Sequence, residues 1–185
     1  MRWRRLTASA LLLLTLGCDG DPSAGDGSSD EAREEALVAL GERDDWRPLE
    51  ADADPFAEHR PEGVDCPSAA WQPEGGALEI QTGVCNYFAR VQPSRIDLDE
   101  GDRVIVDLWH DALDAAAPTT GHVAVLIDDT VIGEAMVVIP TQASALRFEW
   151  TVDRPLPAGA EVYLHLHNHG FNSWSFVAVR AVVRG

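Results

Sequence analysis

Short hydrophobic runs separated by turn-forming residues dominate the chain from Cys66 onward. The runs are rich in Val, Ile, Leu and aromatic residues, and clusters such as Asp99–Asp102 and Pro155–Gly159 divide them about every ten residues. No stretch there has the 3.6-residue periodicity of an amphipathic helix. The pattern predicts an all-β domain over residues 66–185, an antiparallel β-sandwich. The expected strands lie near 77–82, 85–92, 94–98, 103–109, 121–127, 130–138, 145–152, 160–168 and 173–183.

The N-terminus has the organisation of an export signal. Residues 1–17 have three arginines among the first five positions, continue with an apolar run from Leu6 to Leu16 that is too short to span a membrane, and end with a glycine. The cysteine that follows, Cys18, resembles the lipobox cysteine of bacterial lipoproteins, which is acylated and becomes the first mature residue. The resemblance implies a palmitate-type anchor in a bacterial membrane, with the protein in the cell envelope facing the periplasm or the exterior. A cleaved signal without lipid and an uncleaved anchor are the alternatives.

Cys66 and Cys85 are expected to form a disulfide. They are the two cysteines left once Cys18 is assigned to lipid, and an exported chain reaches an oxidising compartment. The loop that they would close, about 20 residues long, predicts a stabilisation of about 3 kcal/mol. A zinc site built on the two cysteines is the alternative.

Two acidic segments separate Cys18 from the β-domain. Residues 18–29 contain Gly, Ser, Asp and Pro with almost nothing to bury, which predicts a disordered tether. Within residues 30–65, the stretch 30–42 has a capping aspartate and a thin apolar stripe, and we expect a short helix there. An irregular acidic segment follows. Three apolar side chains are expected to pin that segment to the β-domain: Trp46, Leu49 and Phe56.

The charge of the chain excludes one class of partner. Its 31 acidic residues outnumber 14 basic ones, so the formal net charge is −17 at pH 7. A chain this acidic repels the phosphates of nucleic acids and anionic lipid head groups. DNA and RNA are therefore not expected as partners.

A row of histidines on the strand at 160–168 is the most unusual constellation. The two-residue alternation of a strand places Leu164 and Leu166 on one face, and Tyr163, His165 and His167 on the other. Neighbours on one face lie about 6.6 Å apart. Two imidazoles at that spacing can share one metal ion, with bonds of about 2.0–2.1 Å.

Three interpretations of the histidine row remain open. It can be half-exposed polar surface, packed on neighbouring side chains. It can be a zinc or copper site, in which His165 and His167, or His167 and His169, are joined by a ligand from another strand. His110 and His122 stand at strand ends and are the candidates for that ligand. It can also be the polar face of a site for another ligand.

The segment that enters the last strand, Gly170–Phe176 (GFNSWSF), resembles the closing strand of galactose-binding-like jelly rolls. That fold is common among carbohydrate-binding modules, where an Asn and aromatic residues near this turn contact sugar. Carried onto this chain, the resemblance points to Asn172 and Trp174, with Phe171 as a further candidate. Core packing is the alternative role of Trp174. The chain as a whole also resembles uncharacterised lipoproteins of GC-rich Gram-negative bacteria, which implies no activity.

Catalytic signatures are missing from the sequence. It has no Gly-x-Ser-x-Gly elbow, no His-Glu-x-x-His motif, no phosphate-binding glycine loop and no dinucleotide fingerprint. We therefore expect no enzyme and no cofactor, but a membrane-anchored lipoprotein that binds an extracellular glycan or an envelope protein. The expected ligand-binding residues are Tyr163, His165, His167, Asn172 and Trp174. A zinc- or copper-binding β-sandwich and a structural envelope lipoprotein are the two alternatives.

Overall fold

A computed structural model describes residues 35–184. The predictions for the export signal (1–17), for Cys18 and for the tether (18–29) lie outside the described residues. Within residues 35–184, no helix is long and apolar enough to cross a membrane.

The described residues form two antiparallel sheets, and the predicted all-β antiparallel sandwich is confirmed. The strands are β1 (Glu35–Ala39), β2 (Arg47–Pro48), β3 (Trp71–Glu74), β4 (Ala77–Gln81), β5 (Tyr87–Pro93), β6 (Arg103–His110), β7 (Thr119–Ile127), β8 (Thr130–Ile139), β9 (Ser144–Thr151), β10 (Glu161–His167) and β11 (Ser173–Arg184). The first sheet has the order β3-β4-β11-β6-β9, with β1 also paired to β11, and the second has the order β2-β5-β10-β7-β8. Short 3-10 helices occur at Arg43–Asp45, Ala51–Ala53, Ala57–His59 and Ser68–Ala70.

The core lies between the two sheets and follows the two-residue period of the strands. On β10, the residues that face inward are Val162, Leu164 and Leu166, all fully buried. They meet Trp174 and Phe176 of β11 in one continuous hydrophobic cluster. Burial of each such side chain stabilises the fold by about 1.5–3 kcal/mol. The inward face of β10 is thus used for packing, and its outward face is left for other roles.

The predicted strands correspond to β4–β11, with one exception. The stretch 94–98 is not a strand, because its residues turn between the sheets and Leu98 makes only an isolated bridge with Leu156. Strand β3 was absent from the prediction, since its sequence Trp-Gln-Pro-Glu has no apolar alternation. It lies at the edge of the first sheet, where a proline is tolerated.

The helix predicted for residues 30–42 is wrong, because Glu35–Ala39 forms strand β1. Strand β1 pairs with the Arg180–Arg184 end of β11, whereas β4 pairs only with the Ser173–Phe176 end. Without β1, the backbone groups along the second half of that edge would lack partners. Two leucines give a short isolated helix too little to bury, so pairing with β11 is favoured.

Residues 46–66, here called the cap segment, cover the outer face of the second sheet. Leu49 is buried against Tyr87, and Phe56 is buried against Ala124. Trp46, the third apolar residue of the segment, is buried in the main core. Strand β1 and the cap segment, which precede residue 66, therefore pack together with the sandwich predicted for residues 66–185.

The predicted disulfide between Cys66 and Cys85 is confirmed. It joins the end of the cap segment to the turn that precedes β5. The cap segment is thereby attached covalently to the sheet that it covers.

Candidate metal centre

Three imidazoles converge on the outer face of the second sheet. His122 belongs to β7, His165 to β10, and His59 to the 3-10 helix of the cap segment. The Nδ1 atom of His59 lies 2.9 Å from Nδ1 of His122, and Nε2 of His165 lies 3.1 Å from the same atom. One ligand atom from each ring lies within 4.8 Å of the other two. We call these three residues the histidine centre.

Small residues on the neighbouring strands make room for the histidine centre. His165 is flanked in register by Ala89 of β5 and Ala124 of β7. Their methyl groups leave space above the sheet for Phe56, whose ring centroid lies 4.6 Å from that of His165 and 5.2 Å from that of His122. As a result His165 is 2% exposed and His122 3% exposed. The cap segment thus turns a strand face into a buried site.

Glu134 of β8 orients the central ring. Its Oε1 atom lies 2.7 Å from Nε2 of His122, which places the N–H of that ring on Nε2. Nδ1 of His122 then carries a single lone pair, which accepts one hydrogen bond, yet both His59 and His165 point a nitrogen at it. Hydrogen bonds among the three rings alone therefore cannot satisfy all three nitrogens.

The surroundings of His165 keep its ring neutral. Burial is the largest cause that lowers the pKa of His165, to about 3, and the neighbouring rings of His122, His59 and His167 lower it further against the opposing effect of Asp54. The pKa of His167 is also lowered, by burial first and then by His169. At neutral pH both rings keep an unprotonated nitrogen with a free lone pair.

A buried carboxylate fixes the part of the cap segment that carries His59. Asp54 accepts hydrogen bonds from the hydroxyl of Tyr87 at 2.7 Å, from Nη1 of Arg60 at 2.9 Å and from the backbone N–H of Phe56 at 3.0 Å. Burial, and next the hydrogen bond to Asp54, raises the pKa of Tyr87, so its hydroxyl stays a donor. These bonds fix the residues on both sides of His59 in the chain and hold its ring over the sheet.

The structure brings together only part of the predicted metal-ligand set. His165 and His122 belong to the histidine centre, whereas His167, at the end of β10, is half-buried with its ring 5.5 Å from that of Tyr87. His110 lies elsewhere because β6 belongs to the first sheet. Its ring packs in the core, 4.8 Å from that of Trp174, and its Nδ1 lies 2.7 Å from a backbone carbonyl oxygen.

Sequence analysis missed His59. It lies 63 residues before His122 in an acidic segment without periodicity, so no spacing rule links the two. The available signal was Phe56 with His59, an aromatic ring and an imidazole three residues apart in an otherwise charged stretch.

The predicted ligand-binding residues do not share one exposed face. Trp174 is 2% exposed between the sheets, so the alternative of core packing describes it. Asn172 is buried too: its Oδ1 accepts the backbone N–H of Asp114, and its Nδ2 donates to the carbonyl oxygen of His169. His165 lies beneath Phe56, while Tyr163 and His167 are half-buried on the same sheet.

Phe171 is the aromatic residue of this turn that does face solvent, with 89% of its surface exposed. Its ring rests on the backbone of Gly83, where a Cβ atom would lie 2.3 Å from Cδ1 of the ring. Clefts of about 340 Å³ and about 570 Å³ flank it. Polar lining residues of the two clefts include Gln81, Asp111, Asn172, Asp114 and His169.

No protein-family model and no curated protein matches the chain. Solved structures with a similar backbone include a CBM4 domain (12% identity, TM-score 0.40, covering 66% of this chain and 81% of that one). They also include the C-terminal CBM6 of LamC from Zobellia galactanivorans (14% identity, TM-score 0.42, covering 81% of this chain and 100% of that one). A third is the K1 cleaved adhesin domain of Lys-gingipain from Porphyromonas gingivalis W83 (16% identity, TM-score 0.41, covering 82% of this chain and 99% of that one). Similarity at this level transfers no ligand and no activity to the chain.

Proposed function

We propose that this protein binds a divalent transition-metal ion, zinc or copper, through His59, His122 and His165. The observation that carries the proposal is the convergence of three imidazole nitrogens, with separations of 2.9 Å and 3.1 Å. Ligand nitrogens on a tetrahedral ion with bonds of about 2.0–2.1 Å lie about 3.3 Å apart, close to these two separations. The third pair of nitrogens, on His59 and His165, lies within 4.8 Å. Neutral imidazole is a ligand that both zinc and copper accept.

The glutamate that contacts His122 supports the same proposal. In protein metal sites, the ring N–H that faces away from the ion usually donates to a carboxylate, which fixes the ring and raises its basicity. Glu134 stands in that position, 2.7 Å from Nε2 of His122. An ion bound to the three facing nitrogens would accept the lone pairs that hydrogen bonds among the rings leave unsatisfied.

Three protein ligands leave a further coordination position for water or a small molecule. His59 is the ligand nearest solvent, since 36% of its side chain is exposed whereas the other two rings are buried. The cap side of the histidine centre is therefore where such a ligand would exchange. With the lipid anchor proposed at Cys18, the bound ion would lie in the cell envelope.

Metal content tests the proposal. The full chain is purified without affinity tag or chelator, loaded with Zn²⁺ or Cu²⁺, passed through a desalting column and analysed by elemental mass spectrometry. We expect about one ion per chain, which His59→Gln loses and Glu58→Gln retains. Glu58 is a matched control because it precedes His59 on the same 3-10 helix and is exposed. A folded wild-type chain that retains no ion would overturn the proposal.

A second candidate function is glycan binding at Phe171, favoured by its exposed ring between two clefts. An exposed aromatic face next to polar groups is the arrangement on which a sugar ring stacks. Pull-down with a panel of insoluble polysaccharides tests it, with Phe171→Ala as the variant. A polysaccharide that retains the wild type and releases the variant would support the candidate, and retention of both or of neither would contradict it.

A further inference from the structure

Two histidines outside the histidine centre lie side by side at the end of β10. The ring centroids of His167 and His169 are 4.9 Å apart. His169 is exposed on the turn that follows the strand, and His167 is half-buried at its last position. We call these two residues the capture pair. Two imidazoles this close can share an ion whose other ligands are water.

The turn that carries the capture pair is fixed from beneath. Asn168, fully buried between the two histidines in sequence, donates from Nδ2 to the hydroxyl of Thr82 at 2.9 Å. Gly170 has a φ of +96°, and a Cβ atom there would lie 2.1 Å from a backbone oxygen of Asp114. The close approach requires glycine, and it holds His169 in place beside His167.

The capture pair lies next to the histidine centre on the same face of the second sheet. His167 is the register partner of His122 across β10 and β7, and directly opposed side chains have Cβ atoms about 4.5–5.5 Å apart. The ring of Tyr87 spans both groups, with its centroid 5.1 Å from that of His165 and 5.5 Å from that of His167. Five of the six histidines in the sequence thus belong either to the histidine centre or to the capture pair beside it.

Two of the three ligands of the histidine centre are shielded from a hydrated ion. His122 and His165 are 3% and 2% exposed, and Phe56 lies over both rings. An ion that enters must exchange bound water for imidazole nitrogen. A pair of imidazoles at the surface can replace the first water ligands of the ion close to the histidine centre. The pair also raises the local concentration of the ion there.

We infer that His167 and His169 capture a divalent transition-metal ion at the surface and pass it to His59, His122 and His165. This inference rests on the function proposed above. It assigns the capture pair a role in the rate of loading, whereas the affinity of the final site comes from the histidine centre. The exchange is a substitution of ligands, with water released and no change of oxidation state.

Stopped-flow loading of the full chain with Co²⁺, followed by the visible absorption of the bound ion, tests the inference. In the double variant His167→Gln/His169→Gln, we expect the association rate to fall at least about tenfold. The equilibrium dissociation constant of the buried centre should stay within about twofold of wild type, because none of its ligands is changed. Val138→Ala is the matched control, since it alters an exposed residue of the same sheet that offers no ligand atom and should load at the wild-type rate.

The outcomes separate this inference from the proposed function. A double variant that binds Co²⁺ as tightly and as fast as wild type overturns the capture role and leaves the histidine centre intact. A double variant that binds Co²⁺ clearly more weakly at equilibrium also overturns it, since the pair would then be part of the final site. In His59→Gln, weak binding that disappears on adding the double substitution supports the capture pair. If wild type binds no ion, the proposed function itself fails.

Discussion

At the scale of single residues, Glu134 is the group that should tune the affinity of the histidine centre. Its carboxylate holds the ring of His122 with Nδ1 toward the other two imidazoles. Replacing such a partner usually weakens metal binding about 10–100-fold. We expect Glu134→Gln to raise the dissociation constant for Zn²⁺ within that range in a competition titration with a chromophoric chelator. Glu149→Gln, an exposed glutamate of the first sheet, should leave the constant unchanged.

The same scale shows what the sequence could and could not predict about the site. The alternation of β10 placed His165 on the outward face correctly, because strand geometry is local. It did not predict that His165 is buried, because the covering residue Phe56 lies more than a hundred positions away in the chain. His122 was one of two candidates, and only the assignment of β7 and β6 to different sheets separates it from His110.

At the scale of elements, an ion triad links three strands on the outer face of the first sheet. Asp107 of β6 is hydrogen-bonded to Nε of Arg147 on β9 at 2.7 Å, and it also pairs with Arg180 of β11. Burial opposes ionisation of Asp107, but hydrogen bonds and charge from the two arginines outweigh it and hold its pKa below the ordinary range. The triad therefore stabilises the ionised carboxylate across β9, β6 and β11.

That lowered pKa makes the contribution of Asp107 depend on pH in a definite direction. The contribution is present above the ordinary aspartate pKa, and it is lost as pH falls through the lower pKa of the folded state, because the unfolded chain then binds the proton more readily. Asp107→Asn should be less stable than wild type at neutral pH and equal to it in acid. Urea unfolding between neutral pH and about pH 3 measures this, with Asp153→Asn, an exposed aspartate 3.7 Å from Arg154, as the control. An equal loss at every pH would contradict it.

The disulfide is the second feature that acts between elements. Cys66, at the end of the cap segment and seven residues after His59, is tied to Cys85 in the turn before β5. The chain-entropy estimate for a loop of this size is about 3 kcal/mol, so Cys66→Ala/Cys85→Ala should lower the free energy of unfolding by about that amount. Chemical denaturation with and without reductant measures it. Wild type in reductant should approach the variant, and wild type that keeps its full stability when reduced would contradict the estimate.

The sequence predicted β4–β11 well because each is a short run rich in apolar residues that ends near a turn signal. The failures have a common cause. Glu35–Ala39 is a strand because the free edge of β11 supplies hydrogen-bond partners, and Trp71–Glu74 is a strand because the edge of β4 does. Such partners lie far away in the chain, and propensities within the segments give no sign of them.

At the scale of the whole molecule, the proposed lipid at Cys18 should be the sole attachment to the membrane. With a net charge of −17, the chain gains nothing from the anionic surface of a bilayer. Cys18→Ser should therefore move the protein completely from the membrane fraction to the soluble fraction and abolish labelling by radioactive palmitate. The matched control is Cys66→Ala/Cys85→Ala, which should stay in the membrane fraction. Membrane retention of Cys18→Ser would contradict the anchor.

The extent of the folded unit leads to the last prediction. A chain that begins at Cys66 contains every strand from β3 onward but lacks Leu40, Trp46, Leu49 and Phe56, all buried in the intact domain. At about 1.5–3 kcal/mol for each buried side chain, their loss removes about 6–12 kcal/mol, which is comparable with the whole stability of a typical domain, about 5–15 kcal/mol. It would also leave the edge of β11 unpaired along Arg180–Arg184.

We therefore expect residues 33–185 to unfold cooperatively in urea, as followed by circular dichroism and tryptophan fluorescence, and residues 66–185 to show no cooperative transition. The shorter chain also lacks His59, so it should bind Zn²⁺ far more weakly even where some structure persists. As a control, Phe56→Ala in the longer chain should cost about 3–5 kcal/mol, the usual loss for a buried phenylalanine, and still fold. Equal unfolding midpoints for the two chains would mean that the cap segment only lies on a sandwich that is stable without it.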